Sequence, residues 1–258
     1  MAGFRSGVAA VVLFFFLPGA RRGWTWRTTI VGTAYAATML LFVLANKLTT
    51  SANTIFLQSA APLYILLLAP WLLDEKNRPS DLLVILLVVA GLSLFFVANE
   101  SPLRTAPDPL HGNLLAIAGG FSWALTIIGM RWLGREERAG RGSAAPAVVT
   151  GNVFAFLVAL PFAFPVMGAR PVDWAIILGL GTFQIGLAYI FLTRALRLVP
   201  ALEAMILLLL EPALNPVWAW WLEGERPGAW SILGGALILG ATLLKTWFDS
   251  RASAGAGS

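Results

Sequence analysis

The chain has 258 residues, of which 58% are apolar and only 12% charged, with a mean hydropathy of +0.79. A soluble domain carries roughly 25% charged residues, so the composition excludes a soluble enzyme or binding module and indicates an integral membrane protein. The net charge of +5 is scattered over short loops between apolar runs, which points to membrane topology and not to nucleic acid, and the lack of cysteine excludes a disulfide framework and a thiolate metal site.

Apolar runs fall at about 4–18, 28–45, 51–73, 81–98, 112–133, 146–167, 173–193, 200–222 and 229–247. Most approach the ~20 residues a spanning helix needs. None alternates as barrel strands do, so the spacing predicts nine transmembrane helices in an all-α protein. The first run, Met1 to Leu17, has the outline of a secretory signal, but Arg21 and Arg22 follow it and eight further spans succeed it; it reads as a short helix. The second carries Thr29, Thr33, Tyr35 and Thr38, whose hydroxyls suit packing as well as a cavity. Pro62 sits in the middle of the third, which ends at Asp74, Glu75 and Lys76, and the fourth reads as scaffold. The Pro-rich segment 99–111 separates the halves, and its His111, the only histidine, is read as a solvated loop residue. Beyond the span around Asn152, the seventh run holds Gln184 and Tyr189, and residues 248–258 read as a disordered polar tail.

The stretch Leu207 to Trp221 combines an intramembrane carboxylate, Glu211, with Pro212 and Pro216. An ionisable group in hydrocarbon is costly and faces a bundle interior or a water-filled cavity, and each proline frees a carbonyl that can serve a ligand there. On a helix Glu211, Asn215, Trp218 and Leu222 share one face. There Glu211 can attract an amino group, Asn215 can hydrogen-bond, and Trp218 can stack on a solute, although Trp220 and Trp221 beside it suit interfacial packing. Gln184, Tyr189, Asn53 and Gln58 are further solute-binding candidates, because buried amides need partners. Glu203 suits the helix dipole of a first turn, and Glu75 and Glu225 suit interfacial charge pairs.

A shift of 150 residues lays 45–76 on 195–226 and pairs Pro62 with Pro212, Trp71 with Trp221, Glu75 with Glu225 and Lys47 with Arg197. The chain therefore reads as two repeats, 1–98 and 112–247. The helix at 112–133 has no partner in the first repeat. The parent pattern is then ten helices in two five-helix units, and this chain either starts one helix late or is a nine-helix variant. Units with an odd number of spans insert with opposite topology. Inverted repeats with proline-interrupted spans at matching positions point to a secondary transporter with its site near the bilayer midplane. Loop charges place thirteen of the 18 lysines and arginines on the side that also holds the C-terminus, which marks that side as cytoplasmic.

The repeated order of small residues, a mid-span proline, an apolar run, a terminal Glu at Glu75 and Glu225, and a Gly-containing helix resembles the EamA-type family of the drug/metabolite transporter superfamily. That resemblance covers nearly the whole chain. It implies a ten-helix inverted repeat that moves small organic solutes by alternating access, without implying one substrate. The leading expectation is a bacterial inner-membrane exporter of amino acids or related metabolites. Its partners are a small-molecule solute and the lipid bilayer, with protons and a second copy of the chain left open, and with no nucleic acid, metal or cofactor. The alternatives are a membrane scaffold without transport and, less favoured for want of clustered acid–base groups, a membrane enzyme acting on lipid-linked substrates.

Overall fold

In a computed structural model, the chain is described over residues 2–17, 19–73, 79–97, 106–138, 144–164, 169–195, 210–224 and 227–255. Glu75, Glu203 and Glu225 lie outside them. The helices are α1 Ala2–Phe16, α2 Trp26–Leu48, α3 Ser51–Gln58, α4 Ala61–Leu72, α5 Pro79–Leu94, α6 Pro109–Arg138, α7 Ala145–Ala159 and α8 Pro171–Gly179. A π-helical segment, Leu180–Leu187, leads into α9 Ala188–Ala195, followed by α10 Leu210–Glu223 and α11 Ala229–Gly255. Among the described residues, five stretches are long and apolar enough to cross a bilayer, and shorter apolar helices cover Gly3–Phe16, Asp81–Leu94 and Ala145–Ala159. The protein is an all-helical, multi-pass membrane protein.

Local chemistry sets the helix limits. Thr50 caps α3, its side chain accepting from the Asn53 backbone N–H at 3.2 Å. The third span is interrupted at Ser59 and Ala60, and Pro62 lies in the first turn of α4, where its missing N–H costs nothing. Pro70 sits inside α4 near its end, and Pro212 and Pro216 both fall within α10. The last helix runs on to Gly255, through most of the stretch read as a disordered tail.

His111 occupies the first turn of α6 and not a loop. The Asp108 carboxylate accepts from the His111 backbone N–H at 3.3 Å and meets its ring Nδ1 at 2.8 Å. Hydrogen bonds from the side chain and backbone of His111 hold the exposed Asp108 carboxyl below its ordinary range. By carbon NMR of its carboxyl group, Asp108 should titrate below free aspartate and move back up in His111→Ala. An unchanged titration in the variant would refute the pairing.

The chain forms two compact units. The first comprises Met1–Leu40 and Leu125–Leu198, the second Leu41–Ala124 and Val199–Ser258. In the first, α1 packs along α7 and along the π-helical segment around a core that includes Leu13, Tyr35, Val148, Val149 and Ile185. In the second, α5 packs along α11 over Phe56, Leu57, Val84, Val88 and Ile238. Glycines bring these helices close. A Cβ at Gly234 would lie 2.7 Å from the Gly91 carbonyl oxygen, so α5 and α11 touch backbone to backbone, as small residues permit between membrane helices.

Candidate functional site

The first unit gathers polar side chains at mid-span. Tyr35 stands near the middle of α2, Asn152 in the middle of α7, and Gln184 midway along the helical stretch from Pro171 to Ala195. Asn152, fully buried, donates from Nδ2 to the Tyr35 hydroxyl at 3.3 Å and to the Val148 carbonyl at 3.0 Å, while its Oδ1 is buried with no partner. The Tyr35 side chain also hydrogen-bonds that of Tyr189, the two rings meeting edge to face with centroids 5.6 Å apart. Arg5 completes the group: its Nη1 donates to Gln184 Oε1 at 3.0 Å, and its Nε is buried without a partner.

Close helix approach makes this arrangement possible. Where Gly151 of α7 crosses α2, an added Cβ would collide with the Tyr35 ring and lie 2.8 Å from the Gly32 carbonyl oxygen. Gly181 and Gly186 do the same for the π-helical segment against α1, an added Cβ at Gly181 lying 2.7 Å from the Arg5 carbonyl oxygen. A π-helical turn takes in an extra residue and re-aims the side chains that follow; such turns are rare and gather at functional sites. Gln184 sits inside this one and is exposed, although it lies at mid-span.

The second unit holds a different kind of polar group. Thr49 donates to Asn113 Oδ1 at 2.8 Å, and Asn53 Nδ2 reaches both Thr49 Oγ1 and Asn113 Oδ1 at 3.4 Å; all three are buried. This knot joins the end of α2 to α3 and α6, as interhelical hydrogen bonds do in membranes. Gln58, half-buried, lies where Gly119 and Gly120 of α6 pass close to α3. Asn215 Nδ2 donates to the Ser51 carbonyl and hydroxyl at 3.2 Å each, tying α10 to α3. Glu211 and Trp218 are exposed on α10, Trp218 lying against Trp221 with ring centroids 6.0 Å apart.

Of the residues singled out from the sequence, Gln184 and Tyr189 thus lie in one polar group. Asn53 lies in another, and Asn215 is anchored to α3. Arg5, Tyr35 and Asn152 were not singled out as solute-binding residues. Arg5 resembled a topology charge beside an apolar run, and the one available signal was its place inside that run, one turn into a helix. Among the described residues no group of three or more His, Asp or Glu is placed to hold a metal.

A model of the EamA-like transporter family matches residues 1–97 and 110–247. The chain belongs to this family. It is 25% identical to an uncharacterized transporter of Archaeoglobus fulgidus over 79% of this chain and 69% of that protein. It is 27% identical to YetK, an uncharacterized transporter of Bacillus subtilis, over 78% of this chain and 63% of YetK, so it spans under two thirds of that relative. A crystal structure of a protein 19% identical in sequence matches with a TM-score of 0.61, covering 97% of this chain and 88% of the other, and shows the same fold. This EamA-like protein is thus a membrane transporter by family.

Proposed function

We propose that this EamA-like protein is a secondary transporter of small organic solutes in a bacterial cell membrane, exporting amino acids or related metabolites by alternating access. The observation that carries this reading is the set of Tyr35, Asn152 and Gln184 at mid-span in the first unit, to which Tyr189 and Arg5 are hydrogen-bonded. Ionisable and amide groups at that depth are retained where they line a solute path or pair with one another, and the exposure of Gln184 favours the path. An inverted repeat of two five-helix units supplies the means of alternation. Its support is that α1 packs on α7 and α5 on α11, each pair related by the 150-residue shift, and that Pro62 and Pro212 start or lie within helices at matching positions. Glu211 on α10 is the coupling candidate, and loop charge supports a cytoplasmic C-terminus.

Uptake of labelled amino acids into proteoliposomes tests the reading, with and without a pH gradient. The native protein should move at least one member of the panel. Gln184→Leu should lower that rate roughly tenfold or more by removing a positioned polar contact, and Glu211→Gln should abolish any dependence on the gradient. A folded native protein that moves no amino acid would exclude that solute class.

A further inference from the structure

We propose that the Arg5 guanidinium, held by Gln184 against the π-helical segment, anchors an anionic group of the transported solute, and that this group is a carboxylate. The inference rests on the transport reading above and names the chemistry that its site recognises.

A permanent positive charge packed among apolar helices demands an anion or water. Arginine does not shed its proton to escape that demand. Yet no Asp or Glu among the described residues pairs with Arg5; its hydrogen-bond partner is the neutral amide of Gln184. Of its five N–H donors, one on Nη1 is engaged there. The Nε edge remains, buried and unpartnered. That edge is the one that a carboxylate grips with two parallel hydrogen bonds. The surroundings suit a small organic acid. Tyr35 and Tyr189 line the group with aromatic rings, and Asn152 keeps Oδ1 buried without a donor, able to accept from a solute N–H. Gln184 is the positioning residue: it holds one side of the guanidinium and leaves the Nε edge for an anion.

The chain has no cysteine, so single reporters can be introduced without background. Tyr189→Cys is the first; Met39→Cys, one turn along α2 from Tyr35 and packed against the same core, is the second in case the first fails to fold. Each is reacted with a sulfonate-bearing and with a trimethylammonium-bearing methanethiosulfonate. With Arg5 in place the anionic reagent should react roughly tenfold faster relative to the cationic one, because a fixed charge among apolar side chains attracts the opposite sign. Arg5→Gln should erase the preference. Gln184→Glu should also erase it while leaving the fold intact, since it places an internal carboxylate beside the guanidinium. Acetate should slow the anionic reagent and acetamide, alike in shape but uncharged, should not.

Equal rates for the two reagents, a preference that survives Arg5→Gln, or two unreactive reporters would overturn the anchor. Slowing by inorganic phosphate and not by acetate would overturn the carboxylate assignment. The two readings fail separately. Charge preference without uptake of any solute removes transport alone, and uptake without charge preference removes the anchor alone.

Discussion

Asp81→Asn should destabilise the protein by about 3–5 kcal/mol, the usual consequence of removing one partner of a buried ion pair. The Asp81 carboxylate accepts from Lys245 Nζ at 2.7 Å, with side chains 3% and 19% exposed respectively. Asp81 lies in the first turn of α5, where a carboxylate also favours the helix dipole, and Lys245 stands on α11. The pair thus joins two helices whose backbones already touch at Gly91 and Gly234. Losing the carboxylate leaves the ammonium without its 2.7 Å counter-charge in a place that water reaches poorly. The double variant Asp81→Leu with Lys245→Met should recover most of the loss, because apolar residues of similar volume can replace such a pair. Denaturant titration in micelles, followed by tryptophan fluorescence, measures both. A native midpoint in Asp81→Asn would show that the pair contributes little.

The second large effect is expected at Gly151. Substitution by leucine drives a side chain into the Tyr35 ring, and its first carbon alone would come within 2.8 Å of the Gly32 carbonyl oxygen. A side chain can rotate away, but that carbonyl is backbone, so α2 and α7 must separate. Overpacking of this kind costs about 1–3 kcal/mol or more. It also pulls the Tyr35 hydroxyl from Asn152 Nδ2, so transport should fall more than stability explains. Gly179→Ala is the control within the same unit. A Cβ there meets nothing within 4 Å, and the change should be neutral or slightly stabilising through the unfolded chain. If Gly151→Leu melts and transports like the native protein, the α2–α7 crossing does not position the site.

The helices were legible in the sequence because lipid imposes a demand that each segment meets alone. Twenty apolar residues with internally satisfied backbone announce a span wherever they occur. Each of the expected apolar runs accordingly contains a described helix, and the chain's family matches the one that its repeated proline and terminal Glu pattern resembles. Ends were harder to read. The extension of α6 to Arg138 and of α11 to Gly255 depends on helix propensity in polar stretches, which hydropathy does not report. His111 was misplaced for a related reason: its loop-like neighbours are the cap and first turn of a helix.

The polar contacts were decided elsewhere. Gln184 and Tyr189 stood out as polar groups inside an apolar run, but nothing local says that Arg5, 179 positions away along the chain, donates to Gln184. Nor does local spacing say that Asn152 meets Tyr35, or that Lys245 meets Asp81. Those partners are set by which helix faces which. That is chosen by small residues such as Gly32, Gly151, Gly181 and Gly234 that let particular backbones approach. Hydropathy is a property of each segment and survives in the linear order. The pairing of one buried donor with one buried acceptor is a property of two surfaces in contact, and it exists only once the helices have packed.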